Sequence, residues 1–442
     1  MATTSVPAVE SRTQVASARV PLTQNQIRGF LAAWGGWALD GMDSFIYALV
    51  LVPALTELLP RSGIAVTPAN IGYYGSILFS LFLFGWGTSM IWGPIGDRIG
   101  RVRALMLTIL CYSVFTFLCG FVTNIWQLAI LRVFCGIGIG GEQPVGAAYI
   151  AEEMDEDRRK MAAGLMHTGY YFGFFFAAVA NYFIGANYGW RWMFIFGGVP
   201  ALLIGFIRYG VRESAKWEQQ FGHVQERPKM RDAFGKLFSP EYKQRTIVMS
   251  LVFLVSIIGL WAGSIYVPTA VTQLAVRAGN APRDAARLAS YASMILAIGT
   301  IIGCVMAPII AERIGRRKAM GLYFAILGLT VAVAFGYVFY LPMNALSVFL
   351  VAVFFLGVGG ANFAMYTLWL PEQYTTDCRA SAIAFVSSVG RFVGVAMVFL
   401  VGAGVARYGS LGVPVAVTSL AFLLALVLLP LAEETRGKPL PA

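Results

Sequence analysis

Along most of the chain apolar residues run for about 20 positions at a time, and the polar residues collect between the runs. A run of that length, wound as a helix rising about 1.5 Å per residue, crosses the roughly 30 Å hydrocarbon core of a bilayer. Twelve such spans are predicted, at roughly 28–52, 72–96, 104–123, 126–151, 161–184, 190–211, 246–274, 287–311, 318–340, 345–370, 380–403 and 411–432. The stretch 212–245 is the one long polar connection, and it divides the spans six and six. The expected order is a polar tail (1–27), a six-helix half (28–211), a central loop (212–245), a second six-helix half (246–432) and a short tail (433–442). Backbone groups inside lipid must bond within their own segment, so the expected fold is an all-α integral membrane protein.

The two halves repeat. GPIGDRIGRVR at Gly93–Arg103 follows span 2, and PIIAERIGRRK at Pro308–Lys318 follows span 8. Asp97 aligns with Glu312, Arg98 with Arg313, Gly100 with Gly315 and Arg101 with Arg316. After span 4 Glu152 precedes Arg159, and after span 10 Glu372 precedes Arg379 at the same separation. RESAKW from Arg212 and EETRGK from Glu433 close the two halves. Three matches in order at a near-constant offset imply two pseudo-symmetric six-helix bundles made by duplication.

Composition sharpens this picture without changing it. The chain is 58% hydrophobic and 12% charged, with a formal net charge of +11. The bases fall in short clusters between spans, such as Arg158/Arg159/Lys160 and Arg313/Arg316/Arg317/Lys318. That is the positive-inside distribution, so nucleic-acid binding is not expected and both termini are placed in the cytoplasm. The first 27 residues lack the apolar core of a cleaved signal. No phosphate-cradling loop, nucleophile–base constellation or metal-ligand spacing is visible, so the reading is a non-enzyme with no cofactor and no metal. Four of the five cysteines lie in apolar spans and read as packing residues.

Twelve spans in repeated halves, with G-x-x-x-D-R-x-G-R-x-R after span 2 and a degenerate copy after span 8, resemble the major facilitator superfamily of secondary transporters. Asp-Gly-Met-Asp in span 1, GIGIGGEQPVGAAYIAEE in span 4, GWRWMFIFGGVPALL in span 6 and RESAKW are similar to its proton-coupled metabolite symporters, in the sialate/lactate and aromatic acid branches. SSVGRFVG, with Arg391 in span 11, resembles the segment that carries a substrate-contacting arginine in organic anion transporters. The resemblance implies a monomer in the plasma (inner) membrane that moves a small organic anion together with protons by alternating access. It also implies that Asp97, Arg98, Arg101, Glu152 and Arg159, with Glu312, Arg313, Arg316, Glu372 and Arg379, latch one conformation.

The residues themselves nominate a site. Asp40 and Asp43 lie about 18 and 22 Å into span 1, near mid-membrane, on one helix face with Tyr47. A carboxylate there is costly and marks either a proton site or a permanent clamp on a cation. Arg132 in span 4 falls at the depth of Asp43, while Glu142 and Gln143 fall deeper, near His167 and Tyr171 of span 5. Asp40, Asp43, Glu142 and His167 are the candidates for proton coupling. Arg391, about 16 Å deep, offers a fork that matches a carboxylate, and its partner is either Asp40 or a bound anion. Arg132, Tyr47, Gln143, Tyr171, Asn362, Tyr366, Trp261 and Tyr266 complete the candidate substrate contacts, with Tyr291 and Trp369 also considered. A drug or metabolite exporter, an importer of organic cations and a non-transporting receptor or membrane-embedded enzyme are the alternative readings.

Overall fold

The computed structural model describes residues 21–221, 230–260, 264, 266–408 and 410–441. The first half holds α1 (Gln24–Arg61), α2 (Pro68–Thr88), α3 (Trp92–Ile99), α4 (Arg101–Cys119), α5 (Ile125–Ile139), α6 (Glu142–Glu153), α7 (Glu156–Ala180), α8 (Trp190–Phe196) and α9 (Ala201–Gly210). Two short helices, α10 (Ala215–Phe221) and α11 (Met230–Leu237), lie in the polar middle stretch. The second half holds α12 (Lys243–Gly259), α13 (Val267–Arg277), α14 (Pro282–Ile314), α15 (Arg316–Gly336), α16 (Ala345–Gly360), α17 (Asn362–Trp369), α18 (Arg379–Tyr408), α19 (Gly412–Val417) and α20 (Leu420–Leu428). Joined end to end, these pieces follow the predicted spans in order.

Among the described residues nine helices are long and apolar enough to cross a membrane, and a tenth is α1, which bends by 45° between Tyr47 and Leu49. Pro53 accounts for the bend, because it has no N–H for the carbonyl of Leu49. At its start α1 is closed by a reciprocal cap, with Gln26 N donating to Thr23 Oγ1 and Thr23 N donating to Gln26 Oε1. α7 carries Glu156, Arg158, Arg159 and Lys160 in its first turns and His167, Thr168, Tyr170 and Tyr171 further along.

Buried apolar side chains form two clusters, one drawn from residues 32–207 and the other chiefly from 237–432. The halves meet where α7 packs on α14 and α18 packs on α2 and α3. Small residues set the seams within each half. A Cβ on Gly136 would come within 2.1 Å of the Phe82 carbonyl oxygen, and one on Gly357 within 2.2 Å of the Leu296 carbonyl oxygen. The two glycines hold equivalent places in the two halves, so the duplication extends to the closest backbone contacts.

Candidate functional site

The repeated loop motif forms the same turn twice. Gly100 and Gly315 stand between successive helices with φ of 105° and 92°, a region open to glycine. The first free N–H groups of the next helix are capped by an acid from the end of the same half. Glu213 accepts from Arg101 N and Val102 N, and Glu434 accepts from Arg316 N and Arg317 N. Burial works to raise the Glu434 carboxyl, but the backbone donors Arg316, Arg317 and Arg436 outweigh it and hold it below the usual range.

Around these turns the buried charges cross between halves. Arg101 forks onto Glu152 through Nε (3.2 Å) and Nη2 (2.8 Å), and Arg316 forks onto Glu372 through Nε (3.0 Å) and Nη2 (2.9 Å). Glu152 also takes Arg379 at 2.9 Å, and Glu372 takes Arg159 at 3.3 Å. Each acid thus reaches the arginine of the other half and not the one that follows it in its own. Asp97 pairs with Arg101 at 2.8 Å and accepts from Ala380 N, Ser381 N and the Ser381 hydroxyl at the start of α18. Glu312 pairs with Lys160 of α7 at 2.9 Å. Arg98 and Arg313 are exposed.

Deeper in the membrane the two aspartates of α1 part company. Arg132 Nη1 lies 3.8 Å from Asp43 Oδ2, with its guanidinium between the rings of Tyr47 (4.3 Å) and Phe82 (4.2 Å). Asp40 is fully buried, and neither of its oxygens has a hydrogen-bond partner. The charged groups that act on it are Glu142, Asp43 and Arg391. Glu142 opens α6 at the glycine break in span 4, accepts from Thr108 Oγ1 at 2.6 Å, and lays its other oxygen against Gly36, one turn before Asp40.

Arg391 projects from α18 into the interface between halves. It donates to the Ser387 carbonyl and, at 3.5 Å, to Gln143 Oε1 of the other half, and its guanidinium lies over the Trp86 ring at 4.4 Å. Beside it is a cavity of about 30 Å³ lined by Trp37, Trp86, Gln143, His167, Tyr170, Tyr171, Ile257, Leu260, Phe363 and Arg391. That volume holds about one water.

Residues 33–394 match the sequence profile described as Major Facilitator Superfamily. The chain belongs to this superfamily. It is 30% identical over 422 residues, 93% of this chain and 91% of the relative, to a probable 4-methylmuconolactone transporter of Cupriavidus pinatubonensis. Over 438 residues it is 27% identical to the niacin transporter NiaP of Acinetobacter baylyi, covering 92% and 93% of the two chains. It is 24% identical over 410 residues, 91% and 93% of the chains, to the sialic acid transporter NanX of Escherichia coli. Among solved structures, the proton:xylose symporter XylE matches with a TM-score of 0.72 at 19% identity, covering 94% of this chain and 98% of the other. At that identity the likeness carries the fold alone.

Against this major facilitator framework the candidate contacts sort into two groups. Gln143, Tyr171, His167 and Arg391 line the cavity. Arg132 and Tyr47 stand away from it, held by Asp43 and by one another. Tyr366 is turned to Ser256, with its hydroxyl 2.7 Å from Oγ, and Asn362 donates to the Gly359 carbonyl at 2.9 Å while its own oxygen is unpartnered. Tyr266 is half-buried and outside the cavity wall, Tyr291 is exposed, and Trp369 donates to the Glu433 carbonyl near the latch. Trp261 lies outside the described residues. Sequence reasoning missed Trp86, Tyr170 and Phe363 as wall residues. The available signal was Trp86, an indole N–H in mid-span that needs an acceptor.

Proposed function

We propose that the protein is a proton-coupled symporter that carries a small organic carboxylate into the cell by alternating access. The observation that carries this reading is Arg391, a buried guanidinium of the second half that faces the cavity and acts electrostatically on the unpartnered Asp40 of the first. The names of the relatives point the same way, since niacin and sialic acid are carboxylic acids. By the positive-inside rule the latch end is cytoplasmic, with both termini on that side. The domain reading is two bundles, 28–211 and 246–432, that rock about the central cavity while the central loop 212–245 and the two tails stay in the cytoplasm.

A substrate carboxylate entering from outside takes the Arg391 fork, which is matched to it in shape and charge. Asp40 then loses its nearest compensating cation and takes a proton. The loaded, charge-matched centre lets the crossed latch at the cytoplasmic end part, and both solutes leave inward. One proton carried with one carboxylate moves no net charge, so the pH gradient drives accumulation, supplying about 1.4 kcal/mol per pH unit.

The test is uptake by proteoliposomes under an imposed pH gradient, with a panel of organic acids. Gradient-driven accumulation of at least one acid is expected, with Arg391→Lys raising KM for it. Unchanged substrate affinity in Arg391→Lys overturns the assignment.

A further inference from the structure

The duplication makes Arg159 and Arg379 equivalent, yet they are held unequally. Arg379 donates from Nε to the Pro371 carbonyl (3.3 Å), from Nη1 to Glu152 (2.9 Å) and Thr376 Oγ1 (3.0 Å), and from Nη2 to the Pro441 carbonyl (2.6 Å). Arg159 donates to Glu156 and Glu372 from Nη2 alone, while its Nε and Nη1 are buried and unpartnered. A guanidinium engaged at all three nitrogens is fixed in one orientation, and one held at a single nitrogen is free to turn. The contacts between halves follow this order, 2.9 Å for Arg379 to Glu152 and 3.3 Å for Arg159 to Glu372.

The inequality comes from how each half ends. Ser214 and Thr435 hold matching places, and each donates to the acid of its own half, Ser214 Oγ to Glu152 at 2.8 Å and Thr435 Oγ1 to Glu372. After Ser214 the chain runs on into α10. After Thr435 it doubles back: Lys438 N donates to the Thr435 carbonyl at 3.0 Å, and Gly437 takes a φ of 76° in the turn. The reversal buries Leu440 and delivers the Pro441 carbonyl to Arg379. Arg436, Lys438 and Pro439 remain exposed and lie in no helix, so the segment lifts away without unfolding one.

We propose that residues 435–441 are a strap that sets the conformational equilibrium: seated, it holds the cytoplasmic end closed, and lifted, it lets the halves part. This rests on the reading of the crossed pairs as a latch. Among the described residues the strap's hydrogen bonds go to the second half, so it does not tie the halves itself. It is a positioning element: Pro441 takes the third nitrogen of Arg379 so that Nη1 stays on Glu152, and Thr435 holds Glu372 where Arg159 meets it. The first half continues into the middle stretch at the matching point, so this control sits on the second-half arm of the latch.

Hydrogen exchange read by mass spectrometry tests this, comparing the full chain with one ending at Arg436 and with Gly437→Val. The shortened chain keeps Glu434 and Thr435 and loses the Pro441 carbonyl. A Cβ on Gly437 would meet nothing within 4 Å, so the valine acts through the backbone of the turn alone. The readout is the end of α6 and the start of α7, which carry Glu152 and Arg159 and belong to the half the strap does not bond. The shortened chain should exchange there about tenfold faster, as for loss of one charge-assisted hydrogen bond, and Gly437→Val should move the same way. Exchange in α8, elsewhere in the first half, should not change. Unaltered exchange at α6 and α7 in the shortened chain, a gain confined to the second half, or an equal gain in α8 overturns the strap. Should the shortened chain not fold, Gly437→Val decides by the same outcomes. Glu152→Gln separates the two readings: if it alone speeds exchange at the start of α7, the latch stands without a strap. If it too leaves exchange unaltered, the latch reading falls, and the strap with it.

Discussion

Arg379, the first residue of α18, donates from Nη1 to Oε1 of Glu152 at 2.9 Å, and so joins the second half to the end of span 4 in the first. Both side chains are fully buried. Glu152 also compensates Arg101, so its removal leaves Arg379 with no acid in ion-pair reach among the described residues and Arg101 with Asp97 alone. Breaking one partner of a buried pair costs about 3–5 kcal/mol, which applies here to the conformation closed at this end. Glu152→Gln should therefore shift the protein strongly toward opening at the latch end, read as increased labelling of a cysteine placed beside Thr376. Glu372→Gln should act in the same direction. Unchanged labelling in both variants would show that the crossed pairs do not hold the closed state.

Substitution of the two turn glycines should separate the halves by strength. Both positions pair a positive φ with ψ of 157° and 161°, a region essentially confined to glycine that costs a residue with a side chain about 1–3 kcal/mol. The space differs, however, since a Cβ on Gly100 would meet Glu213 Oε2 at 2.2 Å and one on Gly315 would meet Glu434 Oε2 at 2.7 Å. Glu213 is also the more deeply buried acid and has less room to withdraw. Gly100→Ala is expected to lower the melting temperature more than Gly315→Ala; the reverse order would contradict the role given to the capping acids.

Lys236 of α11 donates to Asp377 Oδ2 at 2.5 Å, tying the middle stretch to the loop before α18. Burial works to raise the Asp377 carboxyl, but the Lys236 ammonium and the Thr375 hydroxyl outweigh it and hold it below the usual carboxylate range. A depressed carboxyl contributes stability above its unfolded value of about 3.9 and loses it as pH falls through the folded value. Both side chains are about a third exposed, so solvent screening keeps the pair to about 0.2–1 kcal/mol. Lys236→Met should melt slightly below the unaltered protein at pH 7, with the gap closing below about pH 4. A gap that persists at low pH would mean the lysine acts through its stem.

What the sequence made legible was whatever duplication or periodicity repeats. Spans came from run length, and the paired turns at Gly100 and Gly315 from matched motifs. Crossing of Glu152 to Arg379 was hidden, because equal spacing within each half says nothing about which half a side chain leans toward. At the centre, Arg391 and Gln143 were nominated by charge and amide in mid-span. Trp86 and Phe363 passed unremarked, since an aromatic in a membrane helix faces lipid, packing or cavity with the same local pattern. Arg132 was read as both clamp and ligand, and only the rings of Tyr47 and Phe82 around its guanidinium turn it toward Asp43.

That sandwich separates the two aspartates experimentally. Asp43 is the one acid within ion-pair distance of Arg132 among the described residues, so Asp43→Asn leaves a buried guanidinium uncompensated and should cost about 3–5 kcal/mol of stability. Asp40 forms no hydrogen bond, and its nearest charges include a second acid, Glu142. Removing its charge breaks no direct ion pair, and the relief of repulsion from Glu142 and Asp43 offsets the loss of a carboxylate acting on Arg391, so Asp40→Asn should fold about as well as the unaltered protein. Its defect should appear only in coupling: exchange of labelled acid between equal pools persists, while accumulation against a gradient is lost. Thermal melts and the two flux assays on both variants decide the matter. Should Asp40→Asn accumulate substrate normally while Asp43→Asn folds and does not, the proton belongs to Asp43, and the Arg132 pair is the coupling element.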